Sequence, residues 1–293
     1  MPTIGITGAA GQLGQEFAFL SQYHPKYDFV FFDSEELDIT DNDQLNHELE
    51  DYDIDYLINC AAYTRVDQAE SEKDKAYLTN RDGVANLASY CDDNEILLIH
   101  FSSDYVYHNG LNRPLREDDP TNPVGVYAAS KLAGEVEVLK RCRQSIVFRT
   151  SWIYSSFGNN FVKKILNASN SQSEFNIVYD QVGCPTYARD VADRVLNIID
   201  GLVVGEYDIK HCSGVYNIAN SGVTSWYDFT RQIFHLSGKQ CAVNPILSSD
   251  YPSPVERPSY SVLDQSKLKD KFGITMPHWQ DSLVKCLKSL NDV

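Results

Sequence analysis

The chain has 293 residues, of which 43% are hydrophobic and 23% are charged, and its formal net charge is −16 at pH 7. This length allows one large domain or two smaller ones, and the composition is that of a folded globular protein. The negative charge argues against nucleic acid or an anionic membrane as a partner, because phosphate binding draws its strength from clustered Lys and Arg.

The amino terminus and the cysteines indicate the compartment. The first residues, MPTIGITGAAGQLG, lack the basic region and apolar run of a secretion signal, and no stretch approaches a membrane span. The seven cysteines are widely spaced and form no C-x-x-C pair, which favours reduced thiols. The seven histidines form no H-x-x-x-H pair, so a metal hydrolase has little support. We expect a cytoplasmic protein.

Short β-rich runs alternate with helix-like segments along the first two thirds of the chain. In chain order the strands are TIGIT, YDFVFF, DYLINCAA, EILLIHFSS, SIVFRTS and FNIVYD, and the helices fall near 12–22, 41–51, 72–92, 128–142, 159–170 and 187–200. Apolar strands alternating with helices predict a doubly wound, Rossmann-like parallel sheet of the α/β class.

We expect residues 1–150 to form the NAD(P)-binding domain, to which later segments return. Residues 151–293 should form mainly a smaller, partly interleaved substrate domain. Its loops VYDQVGCPTYARD and LSSDYPSPVERPSY are rich in Pro, Ser and aromatic residues, which is typical of segments that cover a ligand.

The segment GAAGQLG follows the first predicted strand and opens the first predicted helix. A tight turn, close approach of a pyrophosphate and close helix–strand packing each favour a residue without Cβ. The helix amino end also offers free N–H groups and a positive dipole. The sequence therefore predicts a dinucleotide site at Gly8, Gly11, Gln12, Leu13 and Gly14.

Asp33 follows the second predicted strand, near the expected position of a carboxylate that contacts the adenosine ribose. No Arg follows closely to receive a 2′-phosphate. This favours NADH and leaves NADPH open.

A proton-transfer group is predicted where Tyr127 and Lys131 stand four positions apart in VYAASKLAGE. Helix positions i and i+4 share a face, so both side chains can project into one cleft. A nearby ammonium lowers the pKa of a phenol, whose ordinary value of about 10 is too high for efficient exchange at neutral pH. Ser103 ends a predicted buried strand, where its hydroxyl can reach a substrate carbonyl beside Tyr127.

Seven segments together make a specific resemblance that runs essentially from end to end. They are GAAGQLG, NCAAYTRVDQAE, SSDYVY, NPVGVYAASKLAGE, RTSWIYSSFGNNFV, DQVGCPTYARD and ERPSYSVLD. The chain resembles the dTDP-4-dehydrorhamnose reductase family, which belongs to the extended short-chain dehydrogenases. The resemblance implies hydride transfer from NADPH or NADH to C4 of dTDP-4-dehydro-β-L-rhamnose, the last step of dTDP-L-rhamnose biosynthesis.

The resemblance also implies residue roles. Tyr127 is the proton donor, Lys131 lowers its pKa and binds the nicotinamide ribose, and Ser103, where most members have Thr, polarises the carbonyl. Asp38, Ile39, Ala61, Ala62 and Tyr63 match cofactor-lining positions. For the substrate, Thr64 and Trp152 face the deoxyhexose, Asn160 and Arg257 lie near the diphosphate, and Gln181, Pro185 and Thr186 surround the base.

Other readings stay open at this point. A bifunctional 3,5-epimerase/4-reductase needs a further acid/base pair, for which His108 and Cys184 are the candidates. A non-catalytic protein similar to the methionine adenosyltransferase β subunit is the second alternative, against which the intact Ser103–Tyr127–Lys131 set argues. Some family members are homodimers with Mg²⁺ bound at the interface, and Glu16 occupies a matching place.

Overall fold

The structure is a computed structural model that describes residues 1–291. The strands are β1 (Thr3–Thr7), β2 (Asp28–Phe32), β3 (Tyr56–Asn59), β4 (Leu97–Ser103), β5 (Ser145–Thr150), β6 (Ile153–Tyr154), β7 (Glu174–Val178), β8 (Val182–Gly183), β9 (Thr186–Tyr187), β10 (Gly214–Asn217), β11 (Thr224–Ser225) and β12 (Ala242–Ile246). The helices are α1 (Gln12–Ser21), α2 (Asn42–Glu50), α3 (Val66–Ala69), α4 (Lys73–Tyr77), α5 (Val84–Asp93), α6 (Val126–Arg141), α7 (Phe161–Ala168), α8 (Ala188–Val203), α9 (Trp226–Ser237), α10 (Ser266–Phe272) and α11 (Trp279–Asn291).

Six strands form one parallel sheet in the order β2-β1-β3-β4-β5-β10. The chain moves from β1 to β2 on one side and returns to β3 on the other, so the strand order reverses between β1 and β3. In open α/β sheets such a reversal leaves a crevice outside the carboxyl ends of the strands, where ligands bind.

Helices cover both faces of this sheet, as near-continuous apolar strands require. On one face Ile4, Ile6 and Ile58 of the strands pack with residues of α1, α8 and α10. On the other face Leu57 and Leu98 pack with residues of α2, α5 and α6. The predicted doubly wound α/β fold is confirmed.

A smaller lobe has its own apolar core. It is built from α7, β7, α9 and α11, whose buried residues include Ile165, Phe175, Phe229, Ile233 and Leu283. β7 pairs with β12 in a separate two-stranded parallel ladder. The chain after residue 150 also returns to the main sheet through β10 and α8. The boundary at residue 150 stays a prediction.

Several local expectations differ from the structure. The helix expected at 72–92 is interrupted by a π-helical segment at Leu78–Gly83 between α4 and α5. β10 and the helices α9 to α11 were not predicted, and β7 lies outside the main sheet. All seven cysteines are free. Within residues 1–291 no helix is both long and apolar enough to cross a membrane.

Candidate active site

The glycine turn after β1 is shaped by the absence of side chains. Gly8 has φ +65°, and a Cβ there would lie 2.5 Å from the backbone nitrogen of Ala61. At Gly14 a Cβ would lie 2.5 Å from the carbonyl oxygen of Gly8. Gly8 therefore brings the loops after β1 and β3 into contact, and Gly14 lets α1 start directly above the turn.

The amino end of α1 has no side-chain cap, because Gly11 stands at that position. Free N–H groups and the helix dipole at such an end suit a phosphate group. Gln12 and Leu13 form the first turn of α1 and line the adjoining cavity. The turn thus fits the pyrophosphate of a dinucleotide.

Asp33 follows β2, next to the glycine turn, since the Ala9 N–H donates to the Phe32 carbonyl at 3.0 Å. One oxygen of Asp33 accepts from the backbone N–H groups of Glu35 and Glu36, at 2.8 and 3.1 Å. These bonds fix the carboxylate at the end of the strand. Its contact with a ribose stays a prediction.

A cavity of about 590 Å³ opens at the carboxyl ends of β1, β3, β4 and β5. Its walls contain many of the predicted site residues, namely Gly11, Gln12, Leu13, Ala61, Ala62, Thr64, Ser103, Tyr127, Lys131 and Trp152. A larger and more open depression of about 1040 Å³ lies along β10 and contains none of them. We identify the candidate site with the smaller cavity because the glycine turn and the proton-transfer residues meet there.

Ser103 and Tyr127 lie side by side in this cavity. Ser103 is the last residue of β4, and Tyr127 stands in the first turn of α6. Burial raises the pKa of Tyr127 to about 12, and interaction with the Ser103 hydroxyl partly offsets that rise. The phenol therefore holds its proton at neutral pH, which is the state that a proton donor requires.

Lys131 is almost fully buried, with 3% of its surface exposed. Its Nζ donates to the carbonyl of Phe101 at 2.6 Å. Burial lowers the pKa of Lys131 to about 8, and the negative charge of Glu135 opposes the shift. The lowering of the Tyr127 pKa by Lys131 stays a prediction, because burial dominates the phenol in this arrangement.

The ammonium of Lys131 has few other charged neighbours. Burial raises the pKa of the Cys60 thiol, and it lowers the pKa of His100 well below the usual range, so both face Lys131 as neutral groups. Glu135 in turn accepts from the Arg149 guanidinium, at 2.7 Å from Nη2 and 3.0 Å from Nε. A buried ion pair thus stands one helical turn below Lys131.

Asp104 also lines the cavity, although we had not predicted it. Its Oδ1 accepts from the Ser103 hydroxyl at 3.0 Å, and its buried Oδ2 has no partner. Burial raises the Asp104 pKa to about 7, while the hydrogen bond from Ser103 opposes the rise. Its place directly after Ser103 at a strand end was the signal that could have revealed it.

The loop after β3 is held by a buried amide. The side chain of Asn80, on the π-helical segment, donates to the Tyr63 carbonyl and to the Ser130 hydroxyl, both at 3.0 Å. Its Oδ1 accepts from the Tyr63 N–H at 2.9 Å. Asn80 thereby ties Ala61, Ala62 and Thr64 to α6, whereas the ring of Tyr63 lies outside the cavity lining.

Asp38 and Ile39 also lie outside the lining. Asp38 is exposed, and its Oδ1 accepts from both the N–H and the hydroxyl of Thr40. The Ile39 side chain is buried in the core and would contact a Cβ at Gly83. The Asn86 amide donates to the Ile39 carbonyl at 3.1 Å. Contact of Asp38 and Ile39 with the cofactor stays a prediction.

The predicted base-binding residues are buried in the segment between β7 and α8. The Gln181 amide donates to the Ser248 hydroxyl at 3.0 Å, and the Thr186 hydroxyl donates to the Cys184 carbonyl at 3.0 Å. Pro185 is buried beside them. None of the three lines the cavity, and their contact with a base stays a prediction.

Asn160 and Arg257 were expected near a diphosphate. Asn160 caps α7, because its Oδ1 accepts from the Lys163 N–H at 3.1 Å while its Nδ2 donates to the Ser155 carbonyl at 2.7 Å. Arg257 pairs with Asp67 at 3.2 Å. Asp67 directly follows Val66, which lines the cavity, so the ion pair lies beside the cavity without lining it.

The residues proposed for epimerase chemistry do not enter the cavity lining. His108 pairs with Glu256 at 3.4 Å, and the Cys184 thiol donates to the Gly222 carbonyl at 3.0 Å. Burial raises the pKa of the Cys184 thiol to about 11. A protonated, hydrogen-bonded thiol outside the cavity is poorly suited to act as a base.

The side chain of Glu16 is fully buried. Its oxygens accept from the Ser155 hydroxyl at 2.6 Å and from Nε of Arg189 at 2.7 Å. Because a guanidinium already neutralises it, the surroundings do not fit Mg²⁺, and no group of three or more acidic, His or Cys side chains suited to a metal occurs within residues 1–291. The expectation of Mg²⁺ at Glu16 is not supported.

A glycine turn lies at the strand-order reversal, and Ser103, Tyr127 and Lys131 share the adjoining cavity. This arrangement is typical of an oxidoreductase of the short-chain dehydrogenase type. The comparisons define the family. The sequence model described as the RmlD substrate binding domain matches residues 2–292, so the chain belongs to that family.

Characterised relatives and solved structures agree. A dTDP-4-dehydrorhamnose reductase from Aggregatibacter actinomycetemcomitans is 37% identical over 289 residues, which cover 97% of each chain. The crystal structure of a dTDP-4-dehydrorhamnose reductase from Clostridium acetobutylicum superposes with a TM-score of 0.92 at 35% identity and covers 99% of both chains. A dTDP-4-dehydrorhamnose reductase from Bacillus anthracis in complex with NADP gives a TM-score of 0.92 at 32% identity, covering 99% of this chain and 100% of that one.

Proposed function

We propose that this protein reduces the C4 ketone of dTDP-4-dehydro-β-L-rhamnose to dTDP-β-L-rhamnose by hydride transfer from NADPH or NADH. The observation that carries the proposal is the single cavity of about 590 Å³ shared by the glycine turn and by Ser103, Tyr127 and Lys131. The reductase names of relatives at 37% and 35% identity support it. By the resemblance, the reaction is the last step of dTDP-L-rhamnose formation and is catalysed by a homodimer. The widely spaced, unpaired cysteines support a cytoplasmic location for it.

The nicotinamide cofactor, when bound, supplies the hydride. The chain offers it the turn at Gly8, Gly11 and Gly14, where backbone atoms fill the space that side chains would need. The Asp33 carboxylate at the end of β2 favours a free ribose hydroxyl, whereas a relative is solved with NADP. Both cofactors therefore remain part of the proposal.

Tyr127 is the proposed proton donor to the oxygen that becomes an alkoxide. Its raised pKa of about 12 keeps the phenol protonated, so a proton is available when charge develops on that oxygen. In this proposal the Ser103 hydroxyl, beside the phenol, turns its proton from Asp104 to the same oxygen and stabilises the charge there. The Lys131 ammonium then favours the phenolate that remains after transfer.

The sugar nucleotide is the proposed second ligand. Thr64 and Trp152 line the cavity near Tyr127 and would contact the deoxyhexose. Arg257, whose partner Asp67 follows the cavity residue Val66, is the proposed partner of the diphosphate together with Asn160. The base is assigned to Gln181, Pro185 and Thr186. A few local donors suffice to bind a dianion on a chain whose net charge is −16.

The deciding experiment follows nicotinamide oxidation by the purified protein with enzymatically prepared dTDP-4-dehydro-6-deoxyglucose. It is run with and without a separate 3,5-epimerase and with each nicotinamide cofactor. We expect dTDP-L-rhamnose only when the epimerase is present. Product formation without the epimerase would establish the bifunctional alternative, and no turnover in either mixture would favour a non-catalytic role.

A further inference from the structure

Two tryptophans stack in the wall of the cavity. The rings of Trp152 and Trp226 have centroids 3.6 Å apart and planes inclined by 10°. Trp152 follows β5 of the main sheet, whereas Trp226 is the first residue of α9 in the smaller lobe. Both side chains line the cavity, so the stacked pair forms a flat apolar surface that joins the two lobes.

The backbone of Trp152 is strained. Its φ is +47°, in the left-handed region that is unfavourable for a bulky residue. Such a conformation persists only where the surroundings over-determine it, and it is concentrated at functional sites. The carbonyl of Trp152 accepts from the Thr186 N–H at 3.1 Å, and a Cβ at Gly183 would lie 2.7 Å from the indole ring. The ring is therefore confined against β8 and Trp226.

Trp226 is itself firmly anchored. Ser225 caps α9, because its hydroxyl accepts from the Asp228 N–H at 3.0 Å and donates to the Asp228 carboxylate at 2.7 Å. The indole of Trp226 also packs on Phe161, with ring centroids 4.6 Å apart. The core of the smaller lobe thus fixes Trp226 before any ligand contact is considered.

We propose that Trp226 is a positioning residue that holds Trp152 in its strained conformation, so that the pair forms the apolar wall on which the sugar ring rests. A flat indole surface suits the C–H groups and the C6 methyl of a 6-deoxyhexose, because these bury apolar area without leaving hydroxyls unpaired. This inference rests on the proposed function. It assigns to the smaller lobe a part in selecting the sugar.

The test combines a spectroscopic and a kinetic measurement on four variants. Near-ultraviolet circular dichroism reports the stacked pair, since the chain has only three tryptophans. The third, Trp279, packs edge-on against Phe229, with ring centroids 5.7 Å apart. We expect Trp226→Leu to remove the signal of the pair, and Trp279→Phe to leave it. Trp226→Leu should also raise KM for the dehydrorhamnose substrate about tenfold, equivalent to about 1.4 kcal/mol, with kcat and cofactor affinity nearly unchanged.

Two variants separate positioning from general damage. Trp226→Phe keeps an aromatic ring and should recover most of the wild-type KM. Tyr227→Leu changes the next residue of α9, which does not line the cavity, and should leave both KM and the dichroism signal unchanged. An unchanged KM in Trp226→Leu, or an equal rise in all three α9 variants, would overturn the inference.

A substitute variant and a binding measurement complete the test. If Trp226→Leu melts far below the wild type, Trp226→Met replaces it, because Met fills the space without a flat ring and carries the same expectation. Calorimetric binding of dTDP-L-rhamnose separates the inference from the proposed function. Wild-type protein that binds it without turnover contradicts the reductase proposal, whereas a Trp226 variant that binds it as tightly as the wild type overturns the role of the pair.

Discussion

The carboxyl end of the parallel sheet and the loops of the smaller lobe differ in how their predicted residues are arranged. At the sheet, Gly11, Ser103, Tyr127 and Lys131 share one cavity. In the loops, the side chains of Gln181 and Thr186 form hydrogen bonds within the protein, and Asn160 caps α7. Short sequence spacings determine where the residues of the first region lie. The positions of the residues in the second region depend on contacts between segments far apart in the chain.

The difference has a physical cause. The carboxyl ends of parallel strands all lie at one edge of the sheet. The position of a residue at a strand end can therefore be predicted once the strand is assigned. A helix then fixes the distance between Tyr127 and Lys131. No such rule places a loop, where Arg257 meets Asp67 across 190 positions of sequence. Four substitutions test this comparison.

The largest effect is expected at Tyr127. Removing the hydroxyl in Tyr127→Phe leaves the ring packed edge-on against Tyr105, with centroids 5.7 Å apart, but takes away the proton donor. We expect kcat to fall by about 10²–10⁴-fold, the usual contribution of a positioned acid. Steady-state kinetics with cofactor titration measures this, and cofactor affinity should not change. An active Phe variant would remove Tyr127 from the mechanism.

The glycine turn gives the next largest effect. In Gly8→Ala the new Cβ meets Ala61 backbone at 2.5 Å, and φ +65° adds strain. We expect cofactor affinity to fall by about tenfold or more, which corresponds to about 1.4 kcal/mol. Gly205→Ala is the matched control, because Gly205 has φ +73° but no atom within 4 Å of an added Cβ. Equal losses of affinity in the two variants would contradict the predicted cradle.

The ion pair beneath Lys131 should control the alkaline limit of activity. The Lys131 pKa is lowered to about 8, so its ammonium, and the activity that depends on it, is lost as pH rises through that value. Glu135→Gln removes a charge that raises this pKa. The alkaline limb of kcat/KM should therefore move to lower pH by about one unit.

This variant also leaves Arg149 buried without its carboxylate, so we expect the free energy of unfolding to fall by about 3–5 kcal/mol. Glu137→Gln is the control, since Glu137 lies on the same helix and pairs with the more exposed Arg141. A Glu135→Gln protein that stays folded with an unshifted pH profile would show that Glu135 serves stability alone.

The smallest effect is expected in the loops. Arg257→Gln breaks a partly exposed pair with Asp67 and removes the proposed diphosphate partner. KM for the sugar nucleotide should rise about threefold with kcat unchanged, because a solvent-exposed charge contributes less than about 1 kcal/mol. Arg143→Gln, which pairs with Asp92 at the other end of the sheet, should leave KM unchanged. A large loss of kcat would instead place Arg257 at the reacting centre.

Sequence reasoning was strongest where one element decided the geometry. The glycine turn, the Tyr127–Lys131 spacing and the strand-end hydroxyl of Ser103 all followed from local pattern, and the structure brings them together. Asp104 was missed although it adjoins Ser103, because a carboxyl at a strand end is ordinary until its burial is known. Trp226 was missed because nothing in SWYDF shows that its ring meets Trp152 from another lobe.

The sequence by itself determined the doubly wound sheet and the order of the chemical groups along it, because hydrophobic periodicity and glycine positions act within single elements. The tertiary structure alone decided which charges neutralise one another. Arg189 meets Glu16 and Arg149 meets Glu135 only after the lobes and layers pack. Burial then sets the pKa values of Tyr127, Lys131 and Asp104, since desolvation depends on all the neighbours that folding assembles and not on the residues beside them in the chain.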